Sequence, residues 1–180
     1  MSMVNQKNLF LLTLVFFSAL LHQPVRATAS EPDELRASFL YHIAHYTIYP
    51  ENNQPDTFNF CFYESEDNVH SAIFNGLPKK QVKERDVQVL KVDINNDAQL
   101  KPCQLLFINQ HAETKEVYAR LEQLNKRLVT VGETRGFVEN GGLLTIVPLK
   151  SKMKIFISKQ QFENTPLKFS SLLLKRASFR

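Results

Sequence analysis

The 180-residue chain has two cysteines, five glycines and no tryptophan, and it lacks the short motifs that mark catalytic or nucleotide-binding centres. Gly132, Gly136, Gly141 and Gly142 follow a predicted strand, where a phosphate-binding loop belongs. They form neither G-x-G-x-x-G nor a glycine-lysine-serine or glycine-lysine-threonine ending, so they read as turn formers ahead of a hairpin. No serine stands in a G-x-S-x-G frame, which leaves Cys61, Ser38 and Ser71, with His70 or His111 as base, without support as nucleophiles. Scattered carboxylates such as Asp67, Glu84 and Asp86 make no acid and base pair. His42 and His45, three apart on a predicted helix, share a face but have no evident third ligand. The sequence therefore assigns no catalytic residue, metal or cofactor, and reads as a binding protein rather than an enzyme. Repeats and low-complexity stretches are also missing.

What is present begins with an address. Lys7 precedes the apolar run from Leu9 to Leu21, and Pro24 and Ala27-Thr28-Ala29-Ser30 follow it. That order predicts a cleavable signal peptide over residues 1–29, cut after Ala29. The run is short for a bilayer span, which needs about 20 residues. With no cysteine near the cut and no later run long enough to anchor, the expectation is a soluble periplasmic protein: one domain over residues 30–180. The formal charge of +4 falls by the two cations of the removed segment, Lys7 and Arg26, to +2. Such a balance gives no reason to expect nucleic acid. The basic residues are uneven, however: residues 150–180 hold eight Lys or Arg and the single acid Glu163.

In an oxidising compartment Cys61 and Cys103 are expected to form a disulfide, and with only two cysteines its connectivity is settled. No C-x-x-C and no flanking cations argue for a reactive thiol.

Ser30-Glu31-Pro32-Asp33 marks a helix start. Leu35, Phe39, Ile43 and Tyr46 recur at helical spacing, widened by Ala37, Leu40, Ala44 and Ile48, up to a stop at Pro50. Strands are predicted near residues 58–63, 87–92, 103–108 and 128–131, with helices opening at Ser65 and Thr114. The first strand should lie between the second and third, with Cys103 just outside its strand. Residues 143–148 and 153–158 read as a hairpin, and Ser158 and Ser170 as caps of two closing helices. The fold class is α/β: a three-layer sandwich around a mostly parallel sheet of about six strands, ending in an antiparallel hairpin.

This pattern resembles the YfiR-like family of bacterial periplasmic proteins from about Glu34 to Phe179. The resemblance is carried by the opening helix Leu35 to Tyr46 leading to Tyr49-Pro50, by Phe60-Cys61-Phe62 and Cys103 to Ile108, by Val129-Thr130-Val131 with Gly136-Phe137 and Gly141-Gly142, and by Leu167 to Leu173. It implies a regulator: the best-known member binds the periplasmic sensor domain of an inner-membrane diguanylate cyclase and holds it inactive, and an outer-membrane lipoprotein draws it away. That member is a disulfide-stabilised dimer, so a homodimer is a possible state here. One cysteine pair of that member is present in this chain and a second, later pair is not. His42, His45 and Tyr49 on or near the first helix, and the basic C-terminal region, are the candidate partner-binding residues. The alternative is a small-molecule binding protein using a crevice at the carboxyl ends of the parallel strands.

Overall fold

The computed structural model describes residues 31–50, 55–64, 70–78, 81–150 and 152–180. The predicted signal segment and the caps Ser30 and Ser65 lie outside them.

The first helix, α1 (Glu31–Tyr46), buries half of the expected band, together with Arg36 outside it. Arg36, Ala37, Leu40, Ile43 and Ala44 face the core, whereas Leu35 is 40% exposed. The helix also ends before Pro50. Thr47 donates its hydroxyl proton to the Ile43 carbonyl at 2.7 Å, and Thr47–Ile48 (β1) runs antiparallel to Lys168–Phe169 (β8). Ile48, expected in the buried band, is 55% exposed.

Strands β2 (Thr57–Tyr63), β3 (Asp86–Lys91), β4 (Leu105–Ile108), β5 (Val129–Gly132), β6 (Leu144–Leu149), β7 (Lys152–Ile157) and β9 (Ala177–Phe179) form a seven-stranded sheet among the described residues. Its order is β3-β2-β4-β5-β6-β7-β9. β2 sits between β3 and β4 as the βαβ logic predicts, and all pairs from β3 to β6 are parallel. β6 and β7 make the expected antiparallel hairpin; β9, too short to show a pattern, adds parallel to β7.

Side-chain alternation divides the core into two layers. Phe58, Phe60 and Phe62 of β2 pack with Leu105, Phe107, Val129 and Val131 against α1. Helix α2 (His70–Gly76) adds Phe74 to this layer, stacked on Tyr41 with ring centroids 4.5 Å apart. On the opposite face Cys61, Leu106 and Ile108 meet Val117, Leu121 and Leu124 of α4 (Lys115–Leu124). The short helix α3 (Asp97–Leu100) leads into Cys103, which bonds to Cys61 with Cα atoms 5.8 Å apart. Leu106, not Cys103, is the register partner of Cys61, so the bridge runs from a central strand to the turn before its neighbour.

Between β5 and β6 the glycines do more than turn the chain, because a helix, α5 (Arg135–Glu139), stands among them. A Cβ on Gly132 or on Gly142 would come within 2.1 Å of the Phe137 ring, so both lack side chains to make room for it. Helices α6 (Lys159–Asn164) and α7 (Ser171–Arg176) close the fold, with Ser158 and Ser170 capping them as predicted.

Candidate functional site

α1 buries one stripe completely, and the stripe beside it is only partly covered. Leu35, Phe39, His42 and Tyr46, at i, i+4, i+7 and i+11, share a side that faces Met153 and Ile155 of β7 and Leu173 of α7 across a groove of about 740 Å³. Its charged lining is of one sign: Lys150, Lys152, Lys154 and Arg176, with no acid among the described residues. The hairpin supplies three of these cations, which the sequence showed only as basic excess.

The three candidate residues on or near α1 part company. His42 is exposed and lines the groove, its ring parallel to Tyr46 at 6.1 Å. His45 is exposed on the flank, meeting Tyr46 edge-on at 5.5 Å. Tyr49 is a core residue, 8% exposed, packed edge-on against Phe58 at 5.6 Å with the Lys83 ammonium over its ring. Its burial pushes the hydroxyl pKa up, and it offers no surface to a partner. The basic C-terminal region also divides: Arg176 is on the groove rim, while Arg180 lies over Phe156 at 4.8 Å.

A second constellation, which the sequence reading missed, fills the carboxyl ends of the parallel strands. Glu64 follows β2 and Glu133 follows β5; Asp33 and Arg36 come from α1 and His70 opens α2. Arg36 Nη1 lies 2.6 Å from Asp33 Oδ1 and 2.9 Å from Glu133 Oε1. His70 Nε2 lies 3.3 Å from Asp33 Oδ1 and 3.2 Å from Glu133 Oε1, and its Nδ1 is 3.4 Å from Glu64 Oε1. Burial opposes the imidazolium, but the bonds to Glu133 and Glu64 outweigh it and raise the His70 pKa to about 9. Burial likewise opposes ionisation of Glu133, and the His70 bond and the Arg36 charge reverse it, holding that carboxyl below its usual range. The one signal in the sequence was Arg36 itself, a charge four residues before Leu40 on what becomes the buried stripe.

This cluster occupies the place where the small-molecule reading puts a crevice. A hollow beside Glu64 and Lys91 at the ends of β2 and β3 holds about 290 Å³, the lower limit of ordinary ligand pockets, roughly 300–1,000 Å³. The nucleophile candidates are not assembled either. Cys61 is tied in the disulfide and Ser38 lines the groove. His70 faces carboxylates, and Ser71 donates its backbone N–H to Glu64 Oε1 at 3.1 Å. His111 contacts the Gln110 side chain at the surface.

No curated protein matches the chain in sequence. A family model described as YfiR/HmsC-like matches residues 33–178, from the cluster residue Asp33 at the start of α1 to the middle of β9. With the match spanning both core layers, the disulfide and the hairpin, the chain belongs to the YfiR/HmsC-like family.

Proposed function

We propose that this chain is an exported regulator that binds the periplasmic sensor domain of an inner-membrane signalling enzyme, of the diguanylate cyclase kind, and represses it. The observation that carries the reading is the groove between α1 and the β6–β7 hairpin, whose floor is apolar and whose charged rim is wholly cationic. Such a surface suits a protein segment with apolar anchors and acidic flanks: the anchors supply affinity and the charges supply rate and orientation. Family membership supports the regulatory role, and the predicted signal peptide supports the compartment. A protein placed there reaches cytoplasmic nucleotides only through a membrane partner. Release by an outer-membrane lipoprotein and a homodimeric state are further parts of the proposal.

The test is capture from envelope membranes with the mature chain and with a Lys152→Glu/Lys154→Glu variant. The wild type is expected to recover an integral-membrane protein with an exported sensor domain and a cytoplasmic cyclase or kinase domain, and the variant to lose it. Recovery of the same proteins by both chains, or of no membrane signalling protein, would overturn the reading.

A further inference from the structure

We propose that Asp33, His70 and Glu133 form a site for a first-row divalent metal ion, whose place the Arg36 guanidinium takes in the ion-free chain. The three donors come from the start of α1, the start of α2 and the end of β5, so the fold rather than one loop brings them together. Asp33 Oδ1 and Glu133 Oε1 stand 3.3 and 3.2 Å from His70 Nε2. Atoms bound to one ion at about 2.0–2.1 Å, at octahedral or tetrahedral angles, stand about 2.8–3.4 Å apart. Both distances fit ligands sharing a centre, and all three donor atoms lie within 4.8 Å of one another.

The surroundings are those of a metal site as well. Glu133 Oε2 accepts the Gln110 backbone N–H at 2.7 Å, which fixes the carboxylate and leaves Oε1 toward the site. Behind the imidazole, Glu64 Oε1 faces His70 Nδ1 at 3.4 Å and is itself held by the Ser71 N–H. A carboxylate behind the distal ring nitrogen is the usual support of a metal-bound histidine.

Two further facts point to a missing ligand. Arg36 Nη1 lies within 3.2 Å of all three donor atoms, a positive group at the centre of the set. Yet the arrangement around it is unfinished: among the described residues Arg36 Nε, Glu64 Oε2 and His70 Nδ1 have no hydrogen-bond partner, although their side chains are only 5%, 2% and 14% exposed. Buried polar atoms are nearly always paired, and several exceptions in one cluster call for a cause. One nitrogen and two carboxylate oxygens suit Zn²⁺, Mn²⁺, Co²⁺ or Fe²⁺ rather than Cu⁺, which prefers thiolate and thioether ligands. The bound ion would join α1, α2 and β5 at one point.

The experiment uses the mature chain stripped with EDTA, titrated calorimetrically with Zn²⁺ alone and by visible absorption with Co²⁺ alone. One equivalent is expected to bind and to raise the melting temperature. Asp33→Asn and Glu133→Gln should each weaken binding at least about tenfold, and His70→Gln should remove the imidazole-dependent cobalt bands. Arg36→Met should tighten binding, because the competing cation is gone, while His42→Ala/His45→Ala should change nothing. Absence of one-to-one binding at about 100 µM metal would overturn the proposal, as would binding lost with the His42 and His45 pair but kept in Asp33→Asn. Circular dichroism identifies any variant that fails to fold. In that case the Arg36→Met arm decides: unchanged or weaker binding counts against the site.

Discussion

The two halves of the sheet are built from similar apolar strands but are covered differently. From β3 to β5 the strands run parallel; β2, β4 and β5 are buried, with helices on both faces and the disulfide tying β2 to the turn before β4. From β6 to β9 the hairpin extends beyond its covering helices. Its outer portion, with Leu149, Lys150 and Lys152, meets the partly buried stripe of α1 across an open groove. The same kind of residue thus has two uses: Phe60 is completely buried, whereas Phe39 lies on the groove wall. Recognition should reside in the outer portion of the hairpin, and stability in the closed part of the sheet, which includes the buried inner residues of β6 and β7.

That contrast fails most visibly if the two phenylalanines behave alike. Phe60→Ala is expected to cost about 3–5 kcal/mol, and Phe39→Ala, only partly buried against the core, about 1–2 kcal/mol, by urea unfolding; equal losses would refute the division. Next in size is the bridge. Cys61→Ser/Cys103→Ser opens a closure with a separation of 42 residues, for which chain entropy gives on the order of 4 kcal/mol. The thermal midpoint should fall, while groove binding at low temperature persists. Gly142→Ala, forced against the Phe137 ring, should cost about 1–3 kcal/mol. Gly76→Ala is its control, because nothing lies within 4 Å of the added carbon, and it should stay within about 1 kcal/mol of the parent. Smallest on stability, and the sharpest test of the second half, is Lys152→Glu/Lys154→Glu. Surface changes of this kind shift stability by about 0.5 kcal/mol or less, so lost binding would report the groove alone.

The closed half was the legible one. Strands with apolar residues on both faces, separated by helical spacing, specify a parallel sheet, and βαβ handedness then places β2 between β3 and β4. Cys103 outside its strand followed from the same topology. The open half was harder because its signals are short or ambiguous. The two-residue strands β1 and β8 and the three-residue β9 carry too few positions for a period to show. On α1 the apolar band read from the sequence is wider than the stripe the core covers. Of the expected band, Ala37, Leu40, Ile43 and Ala44 are buried with Arg36 beside them, while Leu35 and Phe39 line the groove. Tyr49, a candidate partner-binding residue by its place after the helix, is a core residue because pairing of β1 with β8 carries it inward against Phe58. The charged cluster joins Asp33 to Glu133, residues that only the closed fold makes neighbours.

The central claim is that the partner docks in the groove, and a photoreactive amino acid placed at His42 tests it most directly, with one at Lys91 on the opposite sheet edge for comparison. Irradiation of the mature protein on envelope membranes should link His42, and not Lys91, to a membrane protein bearing an exported sensor domain. Adducts of equal yield at both positions, or an adduct at Lys91 alone, would contradict the account.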